Sequence, residues 1–150
     1  MKIDELIAFY HALSPESVAN FPEFYSADAY FKDPFNEVHG IAPIQHIFSH
    51  MFKQVGEPRF VVTGKVVDTD GAMLIWEFRF RVERWGKGET QVMRGVSHLK
   101  FAADGKVNYH RDYWDTGEEL YMKLPVIGAL MRGLKRLLAA WRAAPALPSA

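Results

Sequence analysis

The hydrophobic period of this chain changes once, near Arg59, and that switch limits the possible folds more than any other feature. Before it, apolar residues recur at helical spacing; after it, they alternate. Ile3, Leu6, Ile7, Tyr10 and Leu13 lie on one face of an expected amphipathic helix over residues 2–13. Ser14-Pro15-Glu16 supplies an N-cap, a first-turn proline and an early acid for a second helix, which Pro22 keeps short. Ile41, Ile44, Phe48, Met51, Phe52 and Val55 form the apolar face of a third, opening after Gly40 and ending at Gly56 and Pro58. A short strand from Ala29 to Asp33 precedes it, stopped by Pro34. From there Phe60–Thr69, Ala72–Arg84, Gln91–Phe101 and Lys106–Trp114 read as strands, with turns at Asp70-Gly71, Gly86-Lys87-Gly88 and Asp104-Gly105. Helices first and hairpins after predict an α+β domain. Its expected form is a cone-like, curved antiparallel β-sheet wrapped around three N-terminal helices, with a ligand cavity between the layers.

With 150 residues, 49% of them apolar, the chain has material for one well-packed core. No apolar run reaches the ~18 residues of a membrane span. Met1-Lys2-Ile3-Asp4-Glu5 carries acids where a secretory signal needs basic residues, so the expected location is cytoplasmic. The absence of cysteine excludes disulfides, thiolate nucleophiles and cysteine-ligated zinc. Net charge is zero but unevenly spread. Residues 1–119 hold all 18 acids against 13 Lys and Arg, a net of −5, and residues 120–150 hold five basic residues and no acid. An acidic body is a poor footprint for phosphates, so no nucleic-acid partner is expected.

That imbalance sets off the C-terminal part. Ile127, Leu130, Met131, Leu134, Leu137, Leu138 and Trp141 share one helical face, with Arg132, Lys135, Arg136 and Arg142 elsewhere. The expected division is a domain over 1–116, a basic amphipathic helical extension over 117–143 and a flexible end over 144–150. Three uses of the extension stay open. It packs on the domain or a dimer mate, it lids the cavity, or residues 126–142 make peripheral contact with the inner face of an anionic membrane.

Tyr25-Ser26-Ala27-Asp28-Ala29, then Asp33-Pro34-Phe35 with His39-Gly40, then Leu99-Lys100-Phe101 with Asp104-Gly105-Lys106-Val107 leading to Tyr113-Trp114, occur in an informative order. Together they resemble the nuclear transport factor two-like superfamily, and within it the ketosteroid isomerases and SnoaL-like polyketide cyclases, over roughly residues 1–116. The isomerase resemblance implies Asp33 as general base, Tyr10 as a hydrogen-bond donor to the developing oxyanion and Trp114 as pocket lining. It also implies an acid where this chain has Ser97. The cyclase resemblance instead implies Asp112 as acid/base, with His98 from the neighbouring strand. Hairpin parity decides between the two arrangements: one loop turns Ser97, His110, Asp112 and Trp114 to one face, and a bulge at Gly105 turns His98 inward.

The residues carry their own reading. His110 and Asp112 are two apart on a strand and must share a face. They are either a polar cluster at the pocket floor, with Asp112 orienting His110 or acting as acid/base, or part of a buried ion pair with Arg94 or Arg111. Asp33 either serves the site or caps the turn into Phe35-Asn36. Trp76 and Phe78 are core or pocket lining. His46 and His50 have the i, i+4 spacing of a metal pair, but no third ligand is evident, so neither metal nor cofactor is expected. Two functions follow. The first is cofactor-free acid/base chemistry of isomerase, cyclase or dehydratase type on a small hydrophobic carbonyl compound, with Asp33, Asp112 and His110 as catalytic candidates. The second is a non-catalytic binding module for a lipid or isoprenoid-like ligand. A homodimer is expected through the outer face of the sheet, at Arg79, Arg81, Glu83, Arg94 and Tyr113.

Overall fold

A computed structural model of the chain describes residues 3–82 and 89–139. Glu83, Arg84 and the Gly86-Lys87-Gly88 turn lie outside the described residues, as do Trp141, Arg142 and the 144–150 end. The chain divides into two compact units, Met1–Asp115 and Thr116–Ala150.

The first unit runs α1 (Ile3–His11), a 3-10 turn (Ser17–Asn20), α2 (Phe21–Phe24), β1 (Tyr25–Lys32), β2 (Glu37–His39) and α3 (Ile41–Gln54). The strands β3 (Gly56–Val67), β4 (Ala72–Arg81), β5 (Thr90–Phe101) and β6 (Val107–Tyr113) follow. Local chemistry explains the joints. Ser14 and Ser17 cap each other: the Ser17 amide donates to Ser14 Oγ at 3.2 Å, and the Ser14 amide donates to Ser17 Oγ at 2.8 Å. Gly40, at φ 92°, makes the left-handed step from β2 into α3 that a side chain would strain.

The six strands form one curved, unclosed sheet in the order β2-β1-β6-β5-β4-β3. Four of its five pairings are antiparallel, but β1 runs parallel to β6, with Phe31 beside His110 and Lys32 beside Arg111. The expected sheet of hairpins contained no parallel pair. A hairpin fixes the relative direction of its own two strands only, and β1 enters from α2, far from β6 in sequence. Nor did it contain β2, whose three residues are too few to show alternation. β1 also starts at Tyr25, four residues before the expected Ala29, because its register against β6 shifts between Tyr25 and Tyr30.

The helices bury Leu6, Phe9, Tyr10, Ile44 and Phe48 against Leu74 and Leu99 of the sheet, each such burial stabilising by about 1.5–3 kcal/mol. A second cluster, Trp76, Phe78, Phe80 and Met93, extends this core along β4 and β5. On the opposite face Arg79 pairs with Glu77 at 2.8 Å, and Arg94 stands across from Glu77 in the ladder. The second unit comprises α4 (Thr116–Glu119), a 3-10 turn (Tyr121–Lys123) and α5 (Pro125–Leu138).

Candidate functional site

Six side chains meet under the helices in one hydrogen-bonded chain. β5 and β6 pair with Ser97 opposite Asp112 and Leu99 opposite His110, after a register shift between Lys100 and Phe101. A four-residue loop Ala102–Gly105 would pair Ser97 with His110; the observed pairing differs by two residues, which leaves parity unchanged. Ser97, His110 and Asp112 therefore all face inward. His98 takes the other face, its ring edge-on to Tyr109 at 5.3 Å, and the structure does not place it in the cavity.

His110 is 3% exposed and holds the centre. Its Nε2 lies 2.7 Å from Asp112 Oδ1, and its Nδ1 lies 2.6 Å from Tyr25 Oη. Tyr25 Oη in turn lies 2.5 Å from Tyr10 Oη on α1. From the other side the Trp76 indole donates to Ser97 Oγ at 2.8 Å, and Ser97 donates to Asp112 Oδ1 at 2.5 Å. For a neutral imidazole the proton order follows from its ends. Indole only donates and an ionised carboxylate only accepts. With Asp112 ionised, His110 carries its proton on Nε2, Tyr25 donates to Nδ1, and Tyr10 donates to Tyr25. Phe31 stands edge-on to the imidazole at 4.8 Å and completes its packing. Burial pushes the hydroxyls of both Tyr10 and Tyr25 above the usual phenol range, with the charge of Asp112 as a smaller contribution in the same direction. Both stay neutral.

A glycine places the indole. Gly95 lies opposite Trp76 in the ladder, and a Cβ there would sit 2.4 Å from the ring. The ring therefore lies across bare backbone and aims Nε1 at Ser97, two residues along the same face.

The space around the chain is small inside and larger outside. The inner cavity, bounded by Tyr10, Phe48, Phe60, Trp76, His110 and Asp112 among others, has about 20 Å³, room for roughly one water. Where β1 and β6 part, an open groove of about 470 Å³ is lined by Lys32, Asp33, Pro34, Arg111, Trp114 and others. Asp112 is the one residue common to both linings. Both of its hydrogen bonds land on Oδ1; among the described residues none lands on Oδ2. Its side chain is 15% exposed.

The remaining candidates sit elsewhere. Asp33 borders the groove, but its carboxylate takes the amides of Phe35 and Asn36 at 2.7 and 2.6 Å and the Asn36 side-chain amide at both oxygens. It is an Asx-type turn cap. Trp114 lines the groove, edge-on to Phe35 at 5.5 Å. Phe78 packs between Phe60 and Phe80 in the second core cluster. Arg111 lies over the Tyr113 ring, and Arg94 stands on the sheet face that carries Glu77, away from the inward face of Asp112; of the two alternatives for Asp112, the partner is His110 and not an arginine. His46 and His50 have rings 6.4 Å apart, and no group of three metal-ligating side chains occurs among the described residues. Tyr25 escaped the sequence reading as a site residue. The expected strand began only at Ala29, although Tyr25 stands at even spacing from Ala29 and Phe31, with which it is buried.

The fold has many solved relatives at low identity. A hypothetical protein with a ketosteroid isomerase-like fold from Catenulispora acidiphila DSM 44928, in complex with trimethylamine, is 11% identical at a TM-score of 0.67 over 82% of this chain and 92% of that one. A protein from Shewanella denitrificans OS-217 named for the SnoaL-like polyketide cyclases is 18% identical at 0.65, covering 82% and 97%. One from Agrobacterium tumefaciens str. C58, named for an isomerase of the SnoaL-like family, is 14% identical at 0.61, covering 75% and 93%. No curated protein matches by sequence. The model of the SnoaL-like domain matches residues 6–110, which hold most of α1, the strands through β5 and His110 itself, and the chain belongs to that family.

Proposed function

We propose that the first unit is a cofactor-free acid/base catalyst of the isomerase or cyclase kind, acting on a small apolar carbonyl compound, with Asp112 as the proton-moving group. One observation carries this: Asp112 is tethered through Oδ1 alone, with no bond to Oδ2 among the described residues, and it lines both the inner cavity and the groove. The names of the related cyclases and isomerases agree with it. The groove takes the body of the ligand against Trp114 and Pro34, and the carbonyl reaches inward.

Asp112 Oδ2 accepts the proton alpha to the carbonyl. The C–H bond breaks, its electron pair forms the new carbon–carbon double bond, the carbonyl π pair moves onto oxygen, and an enolate forms. Protonation weakens Oδ1 as an acceptor and frees the Ser97 hydroxyl to donate to the enolate oxygen, while the Trp76 indole still holds Ser97 Oγ in place. Return of the proton to a different carbon gives isomerisation; attack of the enolate carbon on a second carbonyl, whose oxygen then takes the proton back from Asp112, gives cyclisation. His110 positions Asp112, and Tyr10 and Tyr25, neutral throughout, fix the tautomer of His110. The cavity admits a carbonyl group and not an acyl chain, which disfavours a buried lipid.

The test is exchange of alpha protons for deuterium in small aryl ketones, followed by proton NMR in deuterated water. The expected result is acceleration by the wild type, lost by about 100-fold or more in Asp112→Asn with ketone binding retained. Ketone binding with no exchange by the wild type would make the unit a binding module.

A further inference from the structure

The second unit folds on the wrong side of its own helix for a core. The 3-10 turn Tyr121–Lys123 packs against Gly128 of α5, where a Cβ would meet the Met122 carbonyl at 2.5 Å. Arg132 Nη1 donates to that same carbonyl at 2.7 Å, and Lys135 reaches Glu118 of α4 at 3.7 Å. All three contacts use the glycine and basic side of α5. At 100° per residue, Val126, Leu137, Leu130, Leu134, Ile127, Leu138 and Met131 fall within an arc of about 140° away from that side. Val126, Leu130, Leu137 and Leu138 are 83%, 72%, 74% and 74% exposed.

Charge identifies what covers the face. No acid follows Glu119, and five basic residues do. Arg132, Lys135 and Arg136 lie off the apolar arc, Lys135 about 40° beyond Met131 and Arg132 and Arg136 on the far side, so a surface meeting the leucines meets a helix of net positive charge with Lys135 at one edge. A second copy of α5 would bring like charges together, whereas an anionic lipid surface offers both apolar depth and opposite charge. With 14 residues the helix is about 21 Å long and lies in the interface plane. No described helix is long and apolar enough to cross.

We propose that α5 is an in-plane anchor whose leucine-rich face inserts into an anionic bilayer surface.

Sedimentation of the full chain with vesicles tests it, using phosphatidylcholine alone and phosphatidylcholine with about one-third phosphatidylglycerol. Expected is binding to the anionic vesicles, at least about tenfold weaker binding to the neutral ones and weakening with salt. Leu130→Asp with Leu137→Asp, both exposed, should reduce anionic binding by about tenfold or more while the near-UV circular dichroism stays that of wild type. Lys135→Ser with Arg136→Ser should cost about fivefold per residue. Equal binding to both vesicle types, or equal binding by the leucine variant, would overturn the proposal. So would a wild type that ignores vesicles and whose leucine variant changes only stability or oligomeric state, since α5 then docks on protein.

Discussion

At the corner after β1, the Asp33 carboxylate faces its own backbone and is filled by the amides of Phe35 and Asn36 and the Asn36 side chain. At the end of β6, the Asp112 carboxylate faces side chains from two strands and takes His110 and Ser97 on one oxygen, with no bond to the other among the described residues. The two acids border the same groove. What separates them is the reach of their partners: Asp33 is satisfied within three residues of chain, whereas Asp112 takes Ser97 from β5 beside His110 two residues away, and those partners are held in turn by Trp76 of β4 and Tyr25 of β1. A carboxylate held by local donors stabilises a turn, and one held on a single oxygen keeps a free acceptor, on which the proposed chemistry rests.

The contrast can be broken in several places, beginning with the network. His110→Leu removes the shared partner of Tyr25 and Asp112 in a buried setting and should cost about 2–3 kcal/mol in denaturant unfolding. A loss below about 0.5 kcal/mol would mean that the chain of hydroxyls is incidental.

Alkaline pH probes the same chain with a defined sign. Tyr10 and Tyr25 titrate above their ordinary value near 10 in the folded protein, so between the two values the unfolded chain loses protons that the native one keeps. Their contribution to stability is intact below pH 10 and falls as pH rises beyond it, by about 1.4 kcal/mol per pH unit for each group. Tyr25→Phe removes one of these titrations. Its stability curve above pH 10 should be shallower than wild type by that amount per unit, and parallel curves would contradict the burial of Tyr25.

Gly95→Ala pushes a methyl into the Trp76 ring and should cost about 1–2 kcal/mol, with loss of the ordered indole environment in near-UV circular dichroism. The smallest effect belongs to the local acid. Asp33→Ala removes a turn cap and should cost about 1 kcal/mol.

The period switch at Arg59 and the turn dipeptides made the hairpin half of the fold legible, and the i, i+2 relation of His110 and Asp112 put both on one face whatever the register. Parity sufficed for Ser97 over His98 even though the actual register differs by two residues, because a slip by an even number keeps every face. What escaped was non-local. The parallel β1–β6 pair brings Tyr25 to His110 across 85 positions, and no local pattern encodes that contact. Asp33 stays open to two readings for the opposite reason. Asp-Pro before an aromatic reads the same whether the carboxylate serves a ligand or its own turn, and only the amide directions at Phe35 and Asn36 tell them apart.

The most direct measurement compares the two acids on one reaction. Alpha-proton exchange of a single aryl ketone is followed with wild type, Asp112→Asn and Asp33→Asn at equal ligand saturation. Expected is a loss of about 100-fold or more in Asp112→Asn and a change within about threefold in Asp33→Asn, where the amide can still accept from the turn. The reverse ranking, with Asp33→Asn inactive and Asp112→Asn near wild type, would contradict the assignment of Asp112 as the acid/base.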